Sequence, residues 1–169
     1  MKGIEICFFR HGIAVDREDP SVTSDAARPL TDEGIRKTRA AAEGLMRLDF
    51  GFDKILTSPW LRASQTASIL SEVLSLATPE TMAELEGDRK PQELLQALAQ
   101  RHGKKTLLVG HEPLLSATIV HILGGEWGLD LKKSGACALF VDALPPRGPA
   151  TLLWLVTSRQ LRWMGKGKA

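Results

Sequence analysis

Ile4-Glu5-Ile6-Cys7-Phe8-Phe9-Arg10-His11-Gly12 decides how this chain folds. A run rich in β-branched and aromatic residues that stops at a charged pair and a glycine reads as a buried strand, delivering its last residues to a loop at its carboxyl end. In open α/β sheets that edge is where ligands bind. Arg10 and His11 there suggest a nucleophilic histidine beside a fixed cation. A basic pair capping a strand also suits a solvated loop, so the reading depends on what recurs downstream.

Two later segments repeat the layout. Lys54-Ile55-Leu56-Thr57 runs into Ser58-Pro59-Trp60-Leu61-Arg62, where Ser58 suits an N-cap and Pro59 the first helical position, which puts Arg62 near the first turn. Thr106-Leu107-Leu108-Val109-Gly110 runs into His111-Glu112-Pro113, so His111 stands at a strand-to-helix switch. Unpaired N–H groups and the helix dipole make such switches hospitable to anions. Arg10, His11, Arg62 and His111 are therefore expected to converge on one sheet edge. Taken singly, Arg62 would be a solvated helix residue and His111 a helix cap or a satisfied core histidine; the combination reverses both readings. His102, at a helix end, and His121, within an apolar helix, are assigned no chemistry.

The chain resembles the histidine phosphatase superfamily, also called the phosphoglycerate mutase-like family, whose signature is an RHG near the amino terminus. The match extends to Arg28-Pro29-Leu30-Thr31 with Gly34, to Ser58-Pro59-Trp60-Leu61-Arg62-Ala63-Ser64-Gln65-Thr66 and to Gly110-His111-Glu112-Pro113. In that order these look like the landmarks of the short SixA-type phosphohistidine phosphatase branch. The resemblance implies a phosphoryl transfer in which His11 is the nucleophile and becomes a phosphohistidine that water then hydrolyses. A neutral imidazole has an unperturbed pKa of about 6.5 and needs no separate base. Phosphoryl transfer asks mainly for alignment and for charge stabilisation of the equatorial oxygens, so Arg10 and Arg62 fit as paired donors. His111, when protonated, would add a third donor, and Gly12 would let the backbone approach the phosphate. The family's acid for the leaving group maps to Met82-Ala83-Glu84-Leu85-Glu86-Gly87-Asp88; Glu84 matches best, with Glu86 and Asp88 behind it. An imidazole leaving group would lower the need for that acid.

Rival chemistries lack their motifs. There is no HExxH, no clustered Cys and His spacing, no Asp-x-Asp set and no Walker loop. Cys7 and Cys137 each fall within a strand and read as core thiols, outside any Cys-x5-Arg loop. No metal or other cofactor is expected. A net charge of +2 without a basic aromatic stripe gives no reason to expect a nucleic-acid partner. Without a signal peptide or long apolar span, the expectation is a cytoplasmic protein away from the membrane.

At 169 residues the chain suits one domain. The domain is expected over 1–160, followed by a basic tail at 161–169. Strands at 3–9, 54–57, 105–109, 136–141 and 150–156 alternate with helices at 32–48, 59–74, 91–102 and 113–123. This predicts an α/β fold: a three-layer α/β/α arrangement around a mostly parallel sheet, phosphoglycerate mutase-like. The last two strands should be antiparallel, because Leu144-Pro145-Pro146-Arg147-Gly148-Pro149 can only turn. The aperiodic stretch 13–30 reads as an active-site loop.

Relatives that act on sugars or phosphoglycerate commonly carry helical lids, for which this chain has no room. Ile13-Ala14 after the RHG also departs from the polar residues usual in mutases. The reading is a metal-independent phosphatase acting on phosphohistidine of a phosphotransfer protein. The alternatives are a small-molecule phosphomonoesterase and a low-turnover phosphate-recognising regulatory module. Oligomeric state is left open by the sequence.

Overall fold

The computed structural model describes residues 3–148 and 150–167. Eleven helices and strands follow the order β1 (Ile4–Arg10), α1 (Asp32–Met46), β2 (Lys54–Thr57), α2 (Leu61–Leu74), β3 (Glu80–Thr81), α3 (Pro91–Ala99), β4 (Lys105–Gly110), α4 (Leu114–Ile122), β5 (Ala136–Val141), β6 (Thr151–Val156) and α5 (Ser158–Gly165). The sheet order is β3-β2-β4-β1-β5-β6. β3, β2, β4 and β1 run parallel, whereas β5 is antiparallel to both β1 and β6. The predicted mostly parallel α/β sheet with an antiparallel carboxyl-terminal pair is thus present.

Alternation along β1 explains the layers. Successive strand residues face opposite sides, so Ile6 and Phe8 join Leu56, Leu108 and the apolar faces of α3 and α4, whereas Cys7 and Phe9 join Leu107, Val109, α1 and α2. All four β1 residues have no exposed surface, which is why the strand reads as a continuous apolar run rather than an alternating one. Both cysteines are buried and free. Cover thins at the edge strand β6, where Leu152, Leu153 and Leu155 are exposed.

Two expectations need correction. Ser58 is not the N-cap: α2 starts at Leu61 with Trp60 as N-cap, and Ser58 stands two residues earlier, its Oγ accepting from the Trp60 N–H at 3.2 Å. The stretch 161–169 is also not simply a tail. Thr157 and Gln160 form a reciprocal capping box that starts α5. Leu161 is fully buried among the residues of α1 and α2, so the domain continues through α5. Residues 168 and 169 lie outside the described residues. Close contact explains this docking: a Cβ on Gly44 of α1 would stand 1.9 Å from the Leu161 carbonyl oxygen.

Candidate active site

Sheet register builds the site. Arg10 of β1 pairs with Gly110 of β4 and Thr57 of β2 with Val109, so the next residues, His11, His111 and Ser58, emerge side by side at the carboxyl edge. The imidazole centroids of His11 and His111 are 5.0 Å apart. Arg62, second residue of α2, reaches back with its Nε 3.2 Å from His11 Nε2. The structure therefore brings together His11, Arg62 and His111, with Arg10 at the strand end beside them.

His11 has a defined tautomer. Its Nδ1 is 2.7 Å from the Gly12 carbonyl oxygen, which can only accept, so Nδ1 carries the proton and Nε2 keeps its lone pair toward the Arg62 N–H. Burial, joined by the charges of Arg62 and Arg10 and opposed by the Gly12 bond, pushes its pKa down to about 3. The imidazole is consequently neutral near pH 7.

His111 is 1 % exposed, and its Nε2 lies 2.9 Å from Ser58 Oγ. Burial, then the neighbouring His11 and Arg62, lowers its pKa to about 2, so the charged donor expected from the sequence is a neutral ring. With Ser58 donating to Nε2, the remaining Nδ1–H is a buried donor without a partner. Trp60 packs against the ring at 4.5 Å between centroids, and the Arg62 guanidinium carbon lies 4.8 Å from the Trp60 centroid.

The arginines are held differently. Arg10 Nη1 donates to the Leu131 carbonyl at 2.7 Å and to Asp130 at 3.3 Å, whereas its Nε is buried without a partner. Arg62, 4 % exposed, donates through Nη1 to the Asp25 carbonyl at 2.6 Å and through Nη2 to the Asp25 carboxylate at 2.9 Å. Asp25 also accepts from Arg28 at 2.9 Å and Arg17 at 3.1 Å. Partial burial works to raise the Asp25 pKa, but the bonds from Arg28, Arg62 and Arg17 prevail and hold the carboxyl well below its usual range. Sequence reasoning did not single out Asp25; its only signal was proximity to Arg28-Pro29-Leu30 in the 13–30 loop.

Gly12 acts otherwise than expected. Its N–H donates to Thr66 Oγ1 at 3.0 Å and its carbonyl holds His11, so neither group is free for a phosphate. A Cβ there would stand 2.3 Å from Thr38 Oγ1, so the absent side chain serves packing on α1. Glu84 lies in the 3-10 turn Ala83–Leu85, half-buried, and among the described residues no hydrogen bond or ion pair of its carboxylate is found. Glu86 pairs with Arg89, and Asp88 is exposed. Glu112, which the sequence reading passed over, is half-buried, and its Oε1 is buried without a partner. Among the described residues no three His, Cys, Asp or Glu side chains are grouped as a metal-binding set.

Comparison with known proteins shows what the chain is similar to. Residues 6–90 match the histidine phosphatase superfamily (branch 1). The chain is 39 % identical over 141 residues to an uncharacterised protein of Picosynechococcus sp., covering 80 % of this chain and 84 % of that one. It is 28 % identical over 163 residues to phosphohistidine phosphatase SixA of Escherichia coli, covering 94 % and 97 %. Among solved structures, the protein histidine phosphatase SixA complexed with tungstate superposes with a TM-score of 0.80 at 26 % identity, over 94 % of this chain and 99 % of that one. A phosphoserine phosphatase of Entamoeba histolytica shares the fold at 15 % identity, with a TM-score of 0.69 over 94 % and 99 % of the two chains.

Proposed function

The chain belongs to the histidine phosphatase superfamily, in its SixA-type branch, and is a phosphatase; from that premise we propose that it removes the phosphoryl group from phosphohistidine on a protein, without a metal, through a phosphohistidine intermediate on His11. One observation carries the mechanism: the Nε2 lone pair of His11 faces the Arg62 N–H, while the adjoining Arg10 and the His111 ring, 5.0 Å away between centroids, each keep a buried donor without a partner, Arg10 Nε and His111 Nδ1. Leaving buried donors unpaired costs about 1–3 kcal/mol each. The oxygens of a bound phosphoryl group would satisfy them.

In this scheme the Gly12 carbonyl fixes the tautomer, so Nε2 attacks phosphorus without prior deprotonation. Asp25 locks two edges of the Arg62 guanidinium and leaves Nε facing the attacking nitrogen. Incoming phosphoryl oxygens take over that N–H and free the lone pair. Preorganised donors of this kind stabilise the equatorial charge of the transition state. The Nε2–P bond forms as the bond to the leaving group breaks, and water later cleaves Nε2–P, restoring neutral His11.

A protein-borne substrate is favoured by the 28 % identical relative over nearly the whole chain, itself a phosphohistidine phosphatase. The turn Ala83–Leu85 and the α4–β5 connection bring no helical lid, which leaves room for a phosphoryl group on a protein surface. No helix among the described residues is long and apolar enough to cross a membrane. Two buried free thiols fit a reducing cytoplasm as the setting. The test is hydrolysis of a phosphohistidine-bearing phosphotransfer domain and of a phosphomonoester panel, with and without chelator, by wild type and His11→Ala. Selective, chelator-insensitive loss of phosphohistidine through His11 is expected. Preference for monoesters moves the substrate to small metabolites, metal dependence overturns that part of the mechanism, and binding without turnover indicates a recognition module.

A further inference from the structure

Ser58 leaves β2 directly beside His111. Thr57 pairs with Val109 of β4, and the Ser58 N–H donates to the Val109 carbonyl at 3.0 Å, so the sheet itself carries the serine to the histidine that follows β4. The residue is fully buried. Its Oγ meets two groups, the Trp60 N–H at 3.2 Å and His111 Nε2 at 2.9 Å. An amide N–H can only donate, so Oγ accepts from Trp60. Toward Nε2 it can either donate or accept.

The count of protons decides between the two. Burial, with His11 and Arg62 nearby, keeps the His111 ring neutral, so the ring has one proton to place. The serine hydroxyl also has one, and among the described residues His111 Nε2 is its sole acceptor. If Nε2 carried the ring proton, the serine proton would be buried without an acceptor. His111 Nδ1, itself buried without a partner, would then be a bare lone pair that repels a phosphoryl oxygen. If Nε2 accepts instead, the serine proton is used and the single group left over is Nδ1–H. Buried polar groups without partners are costly, so the arrangement that leaves one prevails over the arrangement that leaves two. The ring that bears this free donor is centred 5.0 Å from the His11 ring and is packed by Trp60 at 4.5 Å.

We propose that Ser58 is a positioning residue of the phosphoryl transfer: by donating to His111 Nε2 it fixes the ring proton on Nδ1 and makes a neutral imidazole a standing donor to a phosphoryl oxygen. The inference rests on the phosphatase reading above and deepens it. An imidazolium donates from both nitrogens and needs no serine to choose between them. A neutral ring donates from one, and the other tautomer would present the phosphoryl group with a lone pair. Ser58 acts through His111, and its hydroxyl is already engaged on both sides.

The experiment reads the ring proton directly, by nitrogen NMR of isotopically labelled histidine in wild type and Ser58→Ala, with the His111 signals assigned by their absence from His111→Ala. In wild type near pH 7 the proton is expected on Nδ1 with Nε2 unprotonated, and inorganic phosphate should shift the Nδ1 signal. In Ser58→Ala the proton should redistribute to Nε2. The dissociation constant for inorganic phosphate should rise about 10-fold, as follows when the donor tautomer falls to about a tenth of the population. A wild-type ring proton on Nε2, or protons on both nitrogens, overturns the inference, and so does phosphate without effect on Nδ1; neither result depends on a variant. Ser58→Ala with either the tautomer or the phosphate affinity unchanged overturns it too, leaving Ser58 only its bond to the Trp60 N–H. None of these readouts requires turnover. Wild type that hydrolyses neither phosphohistidine nor phosphomonoesters would refute the phosphatase reading, a result separate from where the His111 proton lies.

Discussion

Acidification should destabilise the protein through the same two histidines that build the site. His11 and His111 are neutral when folded, with pKa values pushed from 6.5 to about 3 and about 2. A histidine whose folded pKa is depressed contributes stability that is present above its unfolded pKa and lost as pH falls toward the folded value. The window therefore opens near pH 6.5 and runs down to about pH 3 for His11 and about pH 2 for His111. Within it the unfolded chain gains about 1.4 kcal/mol per histidine for each pH unit. Going from pH 7 to pH 4.5 should thus cost about 2.5 kcal/mol for each, or about 5 kcal/mol for the pair. That is comparable with the whole stability of a marginal domain. Asp25 contributes little in this range, because its folded pKa lies below its unfolded 3.8 and it is largely ionised in both states. Glu112, with a raised pKa, acts in the opposite direction but is present in every variant compared. The assay is urea unfolding at both pH values for wild type, His11→Ala and His111→Ala in a buffer without phosphate. The packing loss in each variant is common to both pH values and cancels, so each should show about 2.5 kcal/mol less pH dependence than wild type. If either variant differs by less than about 0.5 kcal/mol, folding does not depress that histidine's pKa, and the reasoning that burial holds its ring neutral is refuted.

Three further outcomes follow from named contacts. Arg62→Ala should lower kcat about 100- to 1000-fold, as loss of a preorganised donor does; a change under twofold would remove Arg62 from the chemistry. Asp25→Asn keeps the backbone carbonyl bond to Arg62 but removes the carboxylate charge, and should lower kcat/KM about 10-fold through loss of a charge-assisted bond, whereas an unchanged rate would mean that Arg62 holds its position without it. Leu161→Ala should destabilise the domain by about 2–4 kcal/mol, as for a buried leucine, in thermal or urea unfolding; a loss within about 0.5 kcal/mol would be the behaviour of a surface tail.

Arg10, His11, Arg62 and His111 could be located from the sequence because each follows a strand or occupies the first turn after one, and parallel strands end on the same edge. No long-range contact has to be known for that inference. Asp25 is different: it reaches Arg62 from an aperiodic loop, across 37 positions, and nothing local marks it. Ser58 looked like a cap because Ser-Pro often opens a helix, but α2 begins only at Leu61 and the Ser58 hydroxyl meets the Trp60 N–H and His111 Nε2 instead. Gly12 was read as making room for substrate, although the space belongs to Thr38. For α5 the signal was present in Thr157-Ser158-Arg159-Gln160, a capping-box spacing. Arg162 and Lys166 obscured it, since their charge suggested a tail while Leu161 and Met164 met the core at helical spacing.

Passage of phosphoryl groups through His11 is tested by trapping them there. Wild type would be mixed with labelled phosphohistidine substrate, quenched in base within the first turnover and digested for mass spectrometry. A phosphorylated peptide containing His11 is expected, stable to base and labile to acid, forming faster than or as fast as product and absent from His11→Ala. Product release in the first turnover with no phosphorylated His11, or undiminished turnover by His11→Ala, would contradict it.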